Sequence, residues 1–312
     1  MTIRQCLQKN VAVLPVRSLI LLLPLLFVFL QGCAKQPPSG KVQVIASIEP
    51  LVWFVDRIGG DRVSVSVMVP AGANPHSYEP TPRQMALLGQ SALFVKAGSG
   101  VEFELDWMLR LLDLNRNIAV CNASEGVTLL LMSEQEHAHE QHTEERDHEQ
   151  GHPDPHFWLS LQNGRMIAAN VERALSLIDP SGKEYYAANA ASLSKELEML
   201  DLDIRKALKG VKSHRFLVFH PAWGYFAHDY GLKQIAAEEE GKTLTPRQLQ
   251  RVISRAREEK ITVVFVSPQF SSTQAEAIAR DIGGRTVMVD PLSRDYTDNL
   301  RQATAAFVRS MQ

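Results

Sequence analysis

Short apolar runs alternate with amphipathic segments along most of this 312-residue chain, and the alternation comes in two blocks. In the first, Val42–Ser47, Val63–Val69, Ala92–Lys96 and Asn117–Val120 read as strands. Helices fall at Glu49–Ile58, after Thr81-Pro82, and at Glu102–Asp113. Thr81 supplies an N-cap and Pro82 the residue best tolerated at the first helical position. In the second block the strands are Phe216–Phe219, Leu232–Ala236, Ile261–Val266 and Thr286–Val289. Its helices are Trp223–Tyr230, Thr245-Pro246 to Glu259, Ser272–Ile282 and Tyr296–Val308. Between the blocks lies a loop of about forty residues, 122–162, far longer than an ordinary connection. A helical pattern follows over 163–208, broken near Asp179-Pro180-Ser181-Gly182. Strands that alternate with helices form parallel sheets covered by helices, so two α/β lobes are expected. A helix–Gly-Gly–strand unit occurs in both blocks, at Gly59-Gly60 and Gly283-Gly284, so similar turns close both lobes.

The N-terminus reads as an export signal. Arg4, Lys9 and Arg17 form a basic segment without acids, and Ser18–Leu30 is an apolar run of thirteen residues. That run is short for a membrane span, and Pro24 interrupts it. Leu30-Gln31-Gly32-Cys33 then resembles the lipobox of bacterial lipoproteins, in which the Cys carries the lipid. The expected layout is a signal peptide at 1–32 and a lipid-anchor leash at 33–41. An N-terminal lobe at 42–162 carries a His-rich loop at 134–153. A linking helical segment at 163–209 and a C-terminal lobe at 210–312 complete it. Cys6 leaves with the signal and Cys33 takes lipid, so Cys121 has no partner for a disulfide, and the ligands of any metal are not thiolates. The formal net charge is −2; removal of three positive residues leaves about −5, and no basic patch suggests nucleic acid.

Five of the ten histidines lie between His137 and His152, in a tract otherwise rich in Glu, Gln, Asp and Arg. Imidazole and carboxylate are ligands of zinc and its neighbours, so His137, His139, His142, His148 and His152 are candidate accessory metal contacts. His148-Glu149-Gln150-Gly151-His152 matches HExxH, but that signature needs an apolar helix and this tract has none. A better-placed set stands elsewhere. His76 lies just past the second strand, His220 just past Phe216–Phe219, and Asp290 at the end of the last strand. Ligands of open α/β sheets bind outside the carboxyl ends of the strands, so these three can converge between the lobes. His156 joins them from the long loop, beside Phe157 and Trp158. Pro75, Pro155 and Pro221 stiffen the backbone beside the three histidines. Three imidazoles and a carboxylate fit Zn²⁺ and fit Mn²⁺ less well. Ligands drawn from three loops also imply a site that is loosely assembled until metal joins it.

Several segments in the same order now point to a family. GANPHSYEPTPRQ from Gly72, DPHFWLS from Asp154, FHPAWGYFAHDYGL from Phe219, EEEGKTLTPRQL from Glu238 and VDPLSRDYTDNL from Val289 carry the likeness. Over Val42–Val308 the chain resembles the ZnuA/TroA-like metal-binding lipoproteins of bacterial ABC importers, also called cluster A-I or cluster 9 solute-binding proteins. The resemblance implies two doubly wound parallel-sheet lobes joined by a long rigid helix, with metal in the inter-lobe cleft. It implies His76, His156, His220 and Asp290 as ligands, with water, Glu79 or Glu238 as alternatives to Asp290. Members that prefer manganese commonly have Glu where this chain has His220, which favours zinc here. The implied partners are a membrane permease and, through the lipid, a bacterial membrane; no nucleic acid is expected, and the chain is expected to be a monomer.

The expected function is capture of Zn²⁺ outside the cytoplasmic membrane and delivery to an ABC importer, without catalysis. A Mn²⁺- or Fe²⁺-binding member of the family is one alternative. A zinc-dependent hydrolase, which would keep an open metal position and a general base, is another. His214 and His228 read as surface residues, Trp223, Tyr225 and Phe226 as packing, and Cys121 as a small buried residue.

Overall fold

The structure is a computed structural model that describes residues 40–132, 152–238 and 243–312. The expected signal peptide, Cys33, and His137, His139, His142 and His148 lie outside the described residues.

Two four-stranded sheets, both wholly parallel, have the same strand order. The first is ordered β2-β1-β3-β4, from β1 (Val42–Ile48), β2 (Val63–Val69), β3 (Leu93–Lys96) and β4 (Ala119–Asn122). The second is ordered β6-β5-β7-β8, from β5 (Arg215–Val218), β6 (Lys233–Ala236), β7 (Val263–Val266) and β8 (Arg285–Met288). Central strands such as β7 are buried at every position, as parallel strands covered on both faces must be. The covering helices are α1 (Glu49–Gly59), α2 (Pro82–Gln90) and α3 (Glu102–Leu114) in the first lobe. In the second they are α6 (Gly224–Tyr230), α7 (Pro246–Glu258), α8 (Thr273–Asp281) and α9 (Tyr296–Ser310).

Helices α2 and α7 begin alike. Thr81 and Thr245 cap them, each accepting from the backbone N–H of a Gln three residues on, while that Gln side chain accepts from the Thr N–H. Such reciprocal boxes fix where a helix starts after a strand-end loop. The first of them sets the helix start that follows the loop carrying His76.

The linking segment is a pair of helices, α4 (Leu161–Ile178) and the 26-residue α5 (Lys183–Leu208), joined by a 3₁₀ turn at Pro180–Gly182. Buried Tyr186, Leu193, Leu197, Leu200, Ile204 and Leu208 form the inward stripe of α5. The turn is locked by Asp179. Its Oδ2 accepts from Arg62 Nε (2.9 Å) and Nη2 (2.7 Å) and from the Tyr186 hydroxyl (2.6 Å), and its Oδ1 from Ser181 (2.6 Å). Burial works against the Asp179 carboxylate, but these bonds and the Arg62 charge hold its pKa down to about 2. A Cβ on Gly182 would meet Arg62 Nε at 2.5 Å, so glycine is required for the network to close. One apolar core runs from the first sheet through α4 and α5 to Phe226 and Phe307; a second, around Leu217, Ile253, Val264 and Ile278, lies in the C-terminal lobe.

Candidate metal centre

Three histidines from distant parts of the chain converge. His76 follows β2, His156 precedes the short 3₁₀ turn Phe157–Leu159, and His220 follows β5. One ring nitrogen from each lies within 4.8 Å of those of the other two, and among the described residues this is the group able to hold a metal ion. His220 Nε2 and His156 Nε2 are 3.4 Å apart. Two imidazoles on one tetrahedral zinc, with Zn–N about 2.0–2.1 Å, require an N···N separation of about 3.3–3.4 Å.

Each ring faces a carboxylate with its other nitrogen. His76 Nδ1 lies 2.9 Å from Glu102 Oε1, His156 Nδ1 lies 2.8 Å from Asp154 Oδ1, and His220 Nδ1 lies 2.5 Å from Glu238 Oε1. An ionised carboxylate only accepts, so Nδ1 carries the hydrogen and the Nε2 lone pair is left for metal. Carboxylate–histidine pairs of this kind orient a metal ligand and raise its basicity. Burial, and then the neighbouring His156 and His76, push the His220 pKa well below the usual 6.5, so its imidazole is neutral at pH 7. Burial pushes the Glu102 carboxyl up, contact with His76 pulls it down, and the balance leaves it below its ordinary range.

The segment carrying His156 is tied down at several points. The Asp154 carbonyl accepts from Tyr225, the Pro155 carbonyl from Ser99, and the Trp158 carbonyl from Tyr296, while Trp158 Nε1 donates to the Pro291 carbonyl. These bonds reach both lobes, so protein contacts as well as any bound ion position His156. Every one of these partners is distant from His156 in sequence. Phe270 stacks on His220 with ring centroids 4.3 Å apart, closing one side.

The other expected residues are placed as follows. Asp290 stands outside the three-histidine group; its Oδ1 accepts from Gln269 Nε2 (2.7 Å) and from the Leu292 N–H (2.9 Å). Glu79 is exposed and outside the group, whereas Glu238 faces the far nitrogen of His220. His152 is exposed, and His214 and His228 are surface residues. Trp223, Tyr225 and Phe226 are buried packing, and Tyr225 also holds the Asp154 carbonyl. Cys121 is buried, which pushes its thiol up to about 12. Sequence reasoning missed Glu102, Gln269 and Phe270 and named Asp154 only within a motif. Glu102 opens the helix after β3 and Gln269 lies just past β7, so the strand-end rule that found His76 also covered them.

Residues 44–310 match the model of a family described as zinc-uptake complex component A, periplasmic. The chain belongs to that family. A crystal structure of ZnuA is 36% identical with a TM-score of 0.80, over 88% of this chain and all of that one. The high-affinity zinc uptake system protein ZnuA of Bacillus subtilis is 29% identical over 275 residues, 85% of each chain. The zinc-binding lipoprotein AdcA of Streptococcus pneumoniae is 28% identical over 278 residues, 88% of this chain and 54% of AdcA, so this chain spans about half the length of that relative. The shared fold of the zinc-uptake family therefore covers both sheets, the linking helices and all three histidines.

Proposed function

We propose that this chain is the extracytoplasmic solute-binding component of an ABC importer, capturing Zn²⁺ with His76, His156 and His220 and delivering it to a membrane permease. One observation carries the reading. Two buried imidazole Nε2 atoms from separate segments face each other at the spacing of zinc ligands, while each Nδ1 is held by its own carboxylate. The donors facing the ion are neutral nitrogens, a set that suits zinc better than manganese or iron, which favour more oxygen. Asp154 and Glu238 are buried against the imidazoles they orient, and Glu102 faces His76 with one oxygen, which supports a carrier rather than a hydrolase needing a free general base.

The lipobox at Cys33 would tether the protein to a bacterial membrane, exported and close to its permease, and several relatives bear the name lipoprotein. The histidines from His137 to His152 would hold further zinc weakly and raise its concentration near the site. The N-terminal lobe would comprise 42–162, the linking segment 163–209 and the C-terminal lobe 210–312.

The test is calorimetric titration of the chelated protein with zinc and with manganese. One tight zinc equivalent is expected, with manganese weaker, and His220→Ala should weaken zinc by well over tenfold, more than about 1.4 kcal/mol. A His220→Ala protein that binds zinc like the unmutated chain would refute the site.

A further inference from the structure

Gln269 lines the same cavity as the three histidines and stands three residues past the end of β7. It is only 9% exposed, and the two ends of its amide have unlike surroundings. Nε2 donates to Asp290 Oδ1 at 2.7 Å, whereas Oε1 is buried with no hydrogen-bond partner. The amide is not free to flip, because that would set Oε1 against a carboxylate that only accepts. Asp290 is itself fixed: its Oδ1 also accepts from the Leu292 N–H, and its carbonyl accepts from Asn299 Nδ2 at 2.6 Å. A buried carbonyl oxygen without a donor is uncommon and calls for an explanation, of which a bound ion is one.

Two further observations place Gln269 beside the three histidines. The next residue, Phe270, stacks on His220 and has its ring centroid 5.9 Å from that of His76, so the backbone here is registered against two of the three imidazoles. The cavity between these side chains is small, with a volume of about 10 Å³. An ion held by three imidazoles has one tetrahedral position left.

We propose that Gln269 Oε1 is the fourth ligand of the captured metal, and that Asp290 is a positioning residue that turns this oxygen inward. The inference rests on the zinc-capture reading above. Asp290 then acts one residue removed from the ion, and its negative charge stays off the metal. Three imidazoles and a carboxamide form a neutral donor set, which holds zinc less tightly than a set ending in a carboxylate and so favours release to a partner. The same neutrality disfavours manganese, which binds best where oxygen donors are charged.

The test uses the mature chain stripped of metal. Zinc and manganese affinities are measured by chelator competition, and the visible spectrum of the Co²⁺ form reports the donor set. Gln269→Leu, which removes a direct ligand, should weaken zinc roughly tenfold or more, and should change the Co²⁺ spectrum. Asp290→Ala should move the spectrum in the same direction, while Asp290→Asn, whose oxygen still accepts from Gln269, should not. The exchange Gln269→Glu with Asp290→Asn keeps the pair's shape and total charge but turns a carboxylate to the metal. It should tighten both metals and favour manganese by tenfold or more relative to zinc. If Gln269 only packs, the exchange leaves the zinc-to-manganese ratio unchanged and Gln269→Leu leaves the Co²⁺ spectrum unchanged; either result overturns the proposal. His220→Ala is the control. If it loses zinc while the Gln269 variants behave like the unmutated chain, only the fourth-ligand assignment falls. If it binds zinc normally, the capture reading fails and the fourth ligand with it.

Discussion

The two lobes have the same strand order and bring the same chemistry to the centre, yet their halves differ in solvation. In the N-terminal lobe the His76 side chain is 20% exposed and its partner Glu102 43% exposed. In the C-terminal lobe the corresponding figures for His220 and Glu238 are 4% and 1%. An imidazole–carboxylate pair stripped of water is oriented by its single partner, while one at the surface shares that task with solvent. His220, with the equally sheltered His156–Asp154 pair, is therefore the fixed seat, and the His76 side is the face open to water. In the capture reading, metal enters and leaves past His76.

The largest effect should separate the two ligands. His76→Ala and His220→Ala should each weaken zinc by well over tenfold, with His220→Ala the more damaging because no water replaces a buried donor. Equal losses in matched titrations would remove the distinction between the halves.

The carboxylates give a smaller and sharper contrast. Glu238→Ala should weaken zinc about 10- to 100-fold, the range expected when a buried ligand loses its orienting partner. Glu102→Ala should cost less than about fivefold, since water can take its place beside His76. A reversal of that order would mean that the exposed half governs affinity.

Acid should act on the buried half through the fold itself. His220 has its pKa pushed below 6.5 by burial and then by His156 and His76, so the unfolded chain takes up the proton first as pH falls. Stability from this residue is therefore present above about pH 6.5 and is lost as pH drops below it, by at most about 1.4 kcal/mol per pH unit for one proton. Melting of the metal-free protein between pH 7.5 and 5.5 should steepen with acid, and His220→Phe should flatten the trend. Identical slopes would show that His220 accepts a proton as readily folded as unfolded.

The smallest effect lies away from the centre. Arg62, in the turn after α1, anchors Asp179 at the break between the linking helices. Arg62→Ala should lower the melting temperature by about 2–4 °C, the shift expected of roughly 1 kcal/mol in a chain this size. Zinc affinity should stay within about twofold. A larger loss of affinity would mean that the linking helices, and not the lobes alone, set the geometry of the site.

Most of the fold was legible along the chain, because strands and helices leave short periodic marks and boxes such as Thr81 with Gln84 fix their starts. The break at Asp179–Gly182 was legible for the same reason: Pro180 and Gly182 interrupt a helix locally. Of the site, the three histidines could be found because each follows a strand or stands in a proline-stiffened segment. Asp154, two residues from His156, was also within reach of a local argument.

What the sequence alone determined is therefore which residues stand at strand ends: periodicity and capping act over a few residues and place each loop at the carboxyl edge of its own sheet. Which strand-end residue meets which was decided only by the tertiary structure. Glu102 stands at His76, Glu238 at His220, and Gln269 between Asp290 and the cavity because parallel crossovers lay those loops side by side. Asp290 and Gln269 look equally suited to a metal in one dimension. Packing and the donor–acceptor match between them leave the oxygen of Gln269, a residue lining the histidine cavity, buried without a partner, while Asp290 Oδ1 accepts from Gln269 and Leu292.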